Sequence, residues 1–205
     1  GDNLDVLRRH IKKDETVARC VEAVKMAKQI GFHVSATFIY GFPQETHKDR
    51  MNCLKLSKEL KLDMVRFNNA TPYPGTELYE MAKRDGGLKV AGLYENFYSV
   101  STFIEYPFKE IPFSYVPPGS SETGIRNDLL FSYLAFYLDF NKIKSIFVNP
   151  EKNVGWFNAG ATTLSLIKKL PALSLLGLNI FLKYYKLCIS SILKRIGDAF
   201  SGNKK

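Results

Sequence analysis

Two stretches of sequence decide the fold of this chain, Ala36-Thr-Phe-Ile-Tyr-Gly-Phe-Pro-Gln-Glu-Thr46 and Asn68-Asn-Ala-Thr-Pro-Tyr-Pro-Gly-Thr76. Each predicts a β-strand that ends in a turn marked by Gly and Pro, followed by a Thr that can cap a helix. Parallel strands joined through helices bring such turns together at their carboxyl ends, where α/β barrels carry their chemistry. The two stretches therefore predict one functional edge built from neighbouring strands.

Hydrophobic periodicity and capping signals predict short helices and strands in alternation. The predicted strands are nearly uncharged or rich in apolar residues, and the first is typical of a parallel strand covered on both faces. This alternation at short loop lengths indicates a right-handed α/β unit. In chain order we expect a helix over 14–30 with Asp14 as N-cap, a strand Phe32–Tyr40, a helix over about 46–61 opened by a capping box of Thr46 and Asp49, a strand Met64–Ala70, and a short helix from Thr76 to about Arg84.

The chain changes character after residue 87. Aromatic residues alternate with Pro, Ser and Gly over 88–121, which predicts an irregular connection, and 122–205 is predicted to be a helical, basic extension. Its first helix would be capped by Ser121 or Thr123 and would run to about Asp139, and a further helix is expected over 158–169. The side of the first helix that faces the core would hold Ile125, Leu129, Tyr133, Phe136 and Phe140.

Composition and charge exclude several classes of protein. With 205 residues and 45% hydrophobic content, the chain can bury a core and is not disordered. Residues 1–140 hold 18 basic and 18 acidic residues, whereas 141–205 hold 11 basic and 2 acidic ones, so the tail carries the whole net charge of +9. A nucleic-acid-binding domain would spread its basic residues over one face of the fold, and we expect no nucleic-acid partner.

Cysteine and histidine are sparse. The three cysteines and three histidines lie far apart in sequence, which predicts neither a disulfide framework nor a metal site. The pattern favours free thiols in a reducing cytoplasm, and the first ten residues lack the apolar core of a signal peptide.

The segment Leu170–Leu193 is strongly apolar and approaches the length of a membrane span. Lys183 and Lys186 lie inside it, and charges near the bilayer centre are costly. We therefore expect either a helix packed on the domain or an amphipathic helix at an anionic membrane surface, with 170–205 as the peripheral membrane contact.

Side-chain alternation places chemistry on one face of the predicted strands. Thr37, Ile39 and Gly41 share a face, where Ile39 offers an apolar patch for a flat base and Gly41 lets a ligand approach the backbone. Asn68 belongs to a polar face of the second strand, and buried amides need partners, either a ligand or other protein groups. Glu45 is the only acidic residue at either turn, and the electrostatics of a helix N-terminus would account for it.

The order and spacing of these motifs, from Gly1-Asp-Asn-Leu-Asp-Val-Leu7 to the turn ending at Thr76, resemble the radical S-adenosylmethionine superfamily, in particular its branch with a cobalamin-binding domain. The resemblance covers 1–87 and implies the last two strands of a partial TIM-like barrel. It also implies that Ile39 packs on the adenine of S-adenosylmethionine. The other pocket residues implied are Gly41, Phe42, Asn68, Thr71 and Pro72.

The same resemblance implies cleavage of S-adenosylmethionine by a 4Fe-4S cluster, with cobalamin as an optional further cofactor. The three-cysteine motif that holds such a cluster is absent from this sequence. The chain then resembles the C-terminal part of a longer enzyme, which we expect to be inactive alone and to have its missing N-terminal half as partner. The basic, apolar tail indicates a lipid or pigment-like substrate. The alternative is a non-catalytic α/β module whose basic tail docks on a membrane or a partner protein.

Overall fold

The computed structural model describes residues 16–97 and 112–140, together with the single positions 142, 144, 174, 178, 181, 182, 185 and 189. Its helices and strands follow the predicted alternation. In chain order they are α1 (Val17–Ile30), β1 (Ser35–Tyr40), α2 (His47–Glu59), β2 (Met64–Asn69), α3 (Glu77–Arg84) and α4 (Glu122–Tyr137).

Side-chain caps fix where the helices begin. Thr46 and Asp49 form the predicted capping box at α2, and Thr76 caps α3 as expected. Ser121, the first of the two candidates, caps α4 through its hydroxyl. The N-cap of α1 is Thr16, which accepts the Arg19 N–H at 3.2 Å, so the assignment of this role to Asp14 was wrong.

Strands β1 and β2 form a parallel two-stranded sheet, and α2 is the crossover between them. The register runs from Ser35 opposite Met64 to Tyr40 opposite Asn69. The predicted α/β class is thus confirmed at the level of a mixed α/β unit. A barrel is not shown, because the described part of the chain contains these two strands alone.

The hydrophobic core lies on one face of this sheet. Tyr40 and Phe67 point into it from the strands, and Ile125, Leu129 and Phe136 from α4. On the opposite face of β1, the side chains of Thr37 and Ile39 are exposed. The expectation that β1 is covered on both faces was therefore wrong for the described residues.

Two further expectations need correction. Strand β1 begins at Ser35 rather than Phe32, because Gly31 closes α1 in a left-handed conformation and Phe32 to Val34 bridge to the strand. Phe140 is 76% exposed and does not join the core side of α4, because the helix ends at Tyr137. The predicted helix over 158–169 lies outside the described residues.

Asp63 ties α1 to the amino end of the sheet. Its carboxylate accepts the Val34 N–H at 2.8 Å and the Lys28 ammonium at 2.9 Å. Partial burial opposes ionisation of this carboxyl, but these two donors and the nearby His33 together hold its pKa below the ordinary value. Asp63 and its partners thus lie at the amino end of the sheet, and the turns that follow β1 and β2 lie at the opposite, carboxyl end.

Candidate functional site

The carboxyl ends of β1 and β2 lie side by side, as the sequence predicts. Tyr40 is in register with Asn69, and the Ala70 N–H donates to the Tyr40 carbonyl at 2.7 Å, which continues the parallel pairing one residue further. Both turns therefore leave the sheet at its carboxyl end, the position at which parallel α/β folds bind ligands.

Ile39 and Asn68 are brought together on the open face of the sheet. They are register partners, and the preceding partners Phe38 and Phe67 stack on the core side with ring centroids 5.7 Å apart. Ile39 is 42% exposed, whereas Asn68 is 7% exposed. The Asn68 Oδ1 atom accepts no hydrogen bond from the described residues, which leaves a buried acceptor beside an accessible apolar side chain.

The turn after β1 is held by its own backbone and by Glu45. Gly41 has φ +88°, a conformation that side chains other than glycine rarely adopt. Its N–H donates to the Glu45 carboxylate, and the Glu45 N–H donates to the Phe42 carbonyl at 3.1 Å. Gly41 is thus required by its dihedral angle. It is buried, and a Cβ at this position would face Ile125 of the core at 3.4 Å, so the prediction that Gly41 shares the open face of Thr37 and Ile39 was wrong.

The turn after β2 places Thr71 and Pro72 beyond the end of the strand. Pro72 is fully buried and Thr71 is half-buried. The Thr76 N–H donates to the Tyr73 carbonyl at 3.1 Å, and this contact closes the turn before α3. All six predicted ligand residues therefore lie in the last two residues of the strands or the turns that follow, and their binding role stays a prediction.

A buried cluster of charged side chains links the turn after β1 to two helices. Arg50 on α2 donates through Nε to Asp128 on α4 at 2.6 Å and through a terminal nitrogen to Glu45 at 3.3 Å. The side chains of Arg50 and Glu45 are 7% and 8% exposed. One guanidinium is thus shared by two carboxylates, and the cluster connects the turn to two helices.

Burial raises the pKa of Glu45 to about 7, against the opposing effects of the Gly41 N–H and Arg50. The nearby Asp49 carboxylate raises this pKa further, because like charges disfavour ionisation. Asp128 also bonds the Nδ1 atom of His47 at 2.9 Å, and that imidazole is 69% exposed. Glu45 is therefore a structural carboxylate with specific partners, and helix electrostatics alone do not account for it.

Sequence reasoning missed Arg50 and Asp128. The Arg50–Asp128 pair joins residues 78 apart in sequence, and nothing local marks either as buried. A charged residue on the inner side of a predicted helix was the one available signal, since such residues need partners when buried.

Two tyrosines of α4 close the outer edge of β2. The Val65 N–H donates to the Tyr137 hydroxyl at 3.0 Å, and this hydroxyl donates to the Val65 carbonyl at 2.6 Å. The Phe67 N–H donates to the Tyr133 hydroxyl at 3.0 Å. Backbone groups that a further strand would take are thus already bonded to side chains.

The edge of β1 that faces away from β2 has no such cover among the described residues. Backbone groups alternate between the two edges of a strand, and the Tyr40 carbonyl faces β2, so those of Thr37 and Ile39 face away. An unpaired strand edge is a template for pairing with another strand. The sheet can therefore be extended at β1 and is sealed at β2.

Metal ligands were not expected in this chain. Among the described residues, His, Cys, Asp and Glu side chains do not gather in a group of three that could hold an ion. Within the same ranges, the structure contains no helix long and apolar enough to cross a membrane.

Comparison with known proteins gives two partial similarities, and no protein-family model matches the chain. Over 72 residues, 35% of this chain, it is 44% identical to an uncharacterized methyltransferase of Pyrococcus horikoshii. Over 77 residues, 38% of this chain, it is 31% identical to a protein of Methanocaldococcus jannaschii named provisionally as a methylthiotransferase. The matches span 16% and 17% of the length of these relatives, about a sixth of each.

Proposed function

We propose that this chain is the C-terminal part of a radical S-adenosylmethionine enzyme and forms one wall of the pocket for S-adenosylmethionine. The proposal is carried by two register partners at the carboxyl end of the sheet: accessible Ile39, and Asn68, whose buried Oδ1 accepts no hydrogen bond from the described residues. The names of the two relatives, a methyltransferase and a methylthiotransferase, support an enzyme of methyl-group chemistry.

The residues at the edge fit an adenine base. A flat aromatic ring gains from packing on an aliphatic side chain, and Ile39 presents one. The exocyclic amine of adenine is a hydrogen-bond donor, and Asn68 Oδ1 is an acceptor that lacks a donor among the described residues. Gly41 and Phe42 would border the base through the backbone, and Thr71 and Pro72 would close its other side.

The two cysteines that the structure describes do not fit a 4Fe-4S cluster. Such clusters are held by cysteine thiolates, and Cys20 and Cys53 lie on separate helices, α1 and α2. Burial also raises the pKa of the Cys53 thiol to about 12, so it stays protonated at neutral pH and is a poor ligand. The proposal therefore places the cluster ligands in another part of a longer protein, and cobalamin enters it only through a further upstream domain.

The open edge of β1 supports the view that more of the protein belongs next to this sheet. A two-stranded sheet is marginal alone, and one edge here is sealed by tyrosines while the other is unpaired. We propose that the N-terminal half of the same enzyme supplies the neighbouring strand, and that the 205-residue chain alone is inactive. For the substrate we propose a lipid or pigment-like molecule, supported by the apolar, basic tail.

The test uses the longer protein, produced without oxygen and with its cluster reconstituted. We expect it to form 5′-deoxyadenosine from S-adenosylmethionine under reducing conditions. Asn68→Ala removes one hydrogen bond and should weaken binding of S-adenosylmethionine by about 3- to 10-fold. Ile39→Asp puts a charge against the base and should weaken it further. Leu93→Ala is the control, because Leu93 is 94% exposed and belongs to neither turn in sequence.

Binding that is equal in all three variants would refute the assignment of this edge to S-adenosylmethionine. A longer protein that holds a cluster but forms no 5′-deoxyadenosine would refute the reaction while leaving the fold untouched. Activity of the 205-residue chain without other protein would contradict the proposal that the chain is an inactive part of a longer enzyme.

A further inference from the structure

The C-terminal region carries a row of exposed apolar side chains on a helix. Leu178, Phe181, Leu182, Tyr185 and Ile189 are helical and between 39% and 60% exposed. They lie at positions i, i+3, i+4, i+7 and i+11 from Leu178, the spacing of residues that share one face of a helix. The rings of Phe181 and Tyr185 stack with centroids 6.3 Å apart, so the row is continuous.

The sequence around this row is basic. Residues 152–197 contain no Asp or Glu, and the two acidic residues of 141–205 are Glu151 and Asp198. Lys183 and Lys186 stand within the same stretch, and Lys194 and Arg195 follow it. An apolar helical row in a strongly cationic segment is the composition of helices that lie in the interface of anionic membranes.

We propose that this row is a membrane-docking surface, with the helix in the plane of an anionic bilayer and the row buried at the boundary of headgroups and acyl chains. The lysines and arginines of the segment then contact anionic headgroups. This proposal rests on the tail alone and does not depend on the enzymatic proposal.

Charge favours a lipid surface over a second copy of the chain. Two copies that docked row to row would bring two segments of like charge together, which is destabilising. An anionic bilayer has the complementary charge and attracts Lys and Arg side chains near its surface. Tyr185 suits this position because its amphipathic ring settles at the headgroup level, and Phe181 suits the apolar face that is buried.

The test is flotation of the full 205-residue chain with lipid vesicles, which separates bound protein from aggregates because aggregates sink. Vesicles of phosphatidylcholine alone are compared with vesicles that also contain phosphatidylserine. We expect at least about tenfold stronger binding to the anionic vesicles, and loss of most of that binding at about 0.5 M salt.

Three variants separate the apolar and the electrostatic contributions. The double variant Phe181→Ser and Tyr185→Ser should reduce binding at least about tenfold, because two large side chains leave the apolar row. Lys183→Gln with Lys186→Gln keeps the row intact and should lose the preference for anionic lipid. Leu93→Ser is the matched control, since Leu93 is an apolar residue with 94% exposure outside the C-terminal segment.

Several results would overturn the proposal. Equal binding to neutral and anionic vesicles would refute the electrostatic contribution of the lysines and arginines. Failure to float with either kind of vesicle would refute membrane docking. Unchanged flotation of the double serine variant would show that the row is not the contact. If that variant lost self-association instead, with no flotation of either protein, the occupant would be a second copy of the chain.

Discussion

Removal of the Tyr137 hydroxyl should open the sealed edge of β2. In Tyr137→Phe the Val65 N–H and the Val65 carbonyl both lose the partner that now lies 3.0 and 2.6 Å away. Val65 is 1% exposed, so water does not replace the hydroxyl freely. A buried backbone group left without a partner costs about 1–3 kcal/mol, which corresponds to roughly 5- to 150-fold in an opening equilibrium.

Hydrogen exchange read by mass spectrometry on peptides that cover 64–69 measures this opening. Tyr137→Phe should accelerate exchange at Val65 within that range, and Tyr133→Phe should accelerate it at Phe67, whose N–H donates to the Tyr133 hydroxyl. Tyr73→Phe is the control, because Tyr73 is 47% exposed and its ring packs on Phe97. Exchange at wild-type rates in both α4 variants would refute the claim that tyrosines close this edge.

Three further predictions concern the turn and the open edge. Glu45 has a folded-state pKa of about 7, above the ordinary 4.5, so the folded state holds a proton that the unfolded state has lost between these values. The free energy of unfolding should therefore fall by about 3 kcal/mol as the pH rises from about 4.5 to about 7. In urea unfolding, Glu45→Gln should lose this pH dependence. A variant that keeps the wild-type pH dependence would contradict the assignment of the raised pKa to Glu45. Gly41→Ala should lower the free energy of unfolding in urea by about 1–2 kcal/mol, because alanine is strained at φ +88°. Ser35→Ala, at the exposed start of β1, should change it little. Equal losses in the two variants would argue against backbone strain at Gly41. Thr37→Pro removes an N–H on the open edge of β1 and should reduce association of the isolated chain, measured as its molar mass by light scattering. An unchanged molar mass would show that the chains associate through another surface.

Local signals in the sequence were enough to predict the elements of the fold. Thr46 with Asp49 and Thr76 begin helices where the capping rules place them, because a cap depends on residues within one turn. The adjacency of the two turns was also predictable, since a strand, a crossover helix and a second strand pair in parallel. Ile39 and Asn68 could thus be assigned to one edge before the register was known.

The features that sequence reasoning missed depend on contacts between distant parts of the chain. Asp128 reaches Arg50 across 78 residues, and the tyrosines of α4 reach β2 across 66 and 72 residues. The position of α4 relative to the sheet decides these contacts, and helix periodicity gives only the face, not the partner. The same limit explains β1, whose apolar sequence indicated burial on both faces although one face is open.

The sequence of the DNA that precedes the codon for Gly1 tests whether this chain is the distal part of a radical S-adenosylmethionine enzyme, as we propose. We expect an open reading frame that continues upstream and encodes Cys-x-x-x-Cys-x-x-Cys about 100 or more residues before Gly1, the length that the first half of such a barrel requires. A translation start directly before Gly1, or an upstream frame without that motif, would contradict the claim and leave a docking module as the better account of the chain.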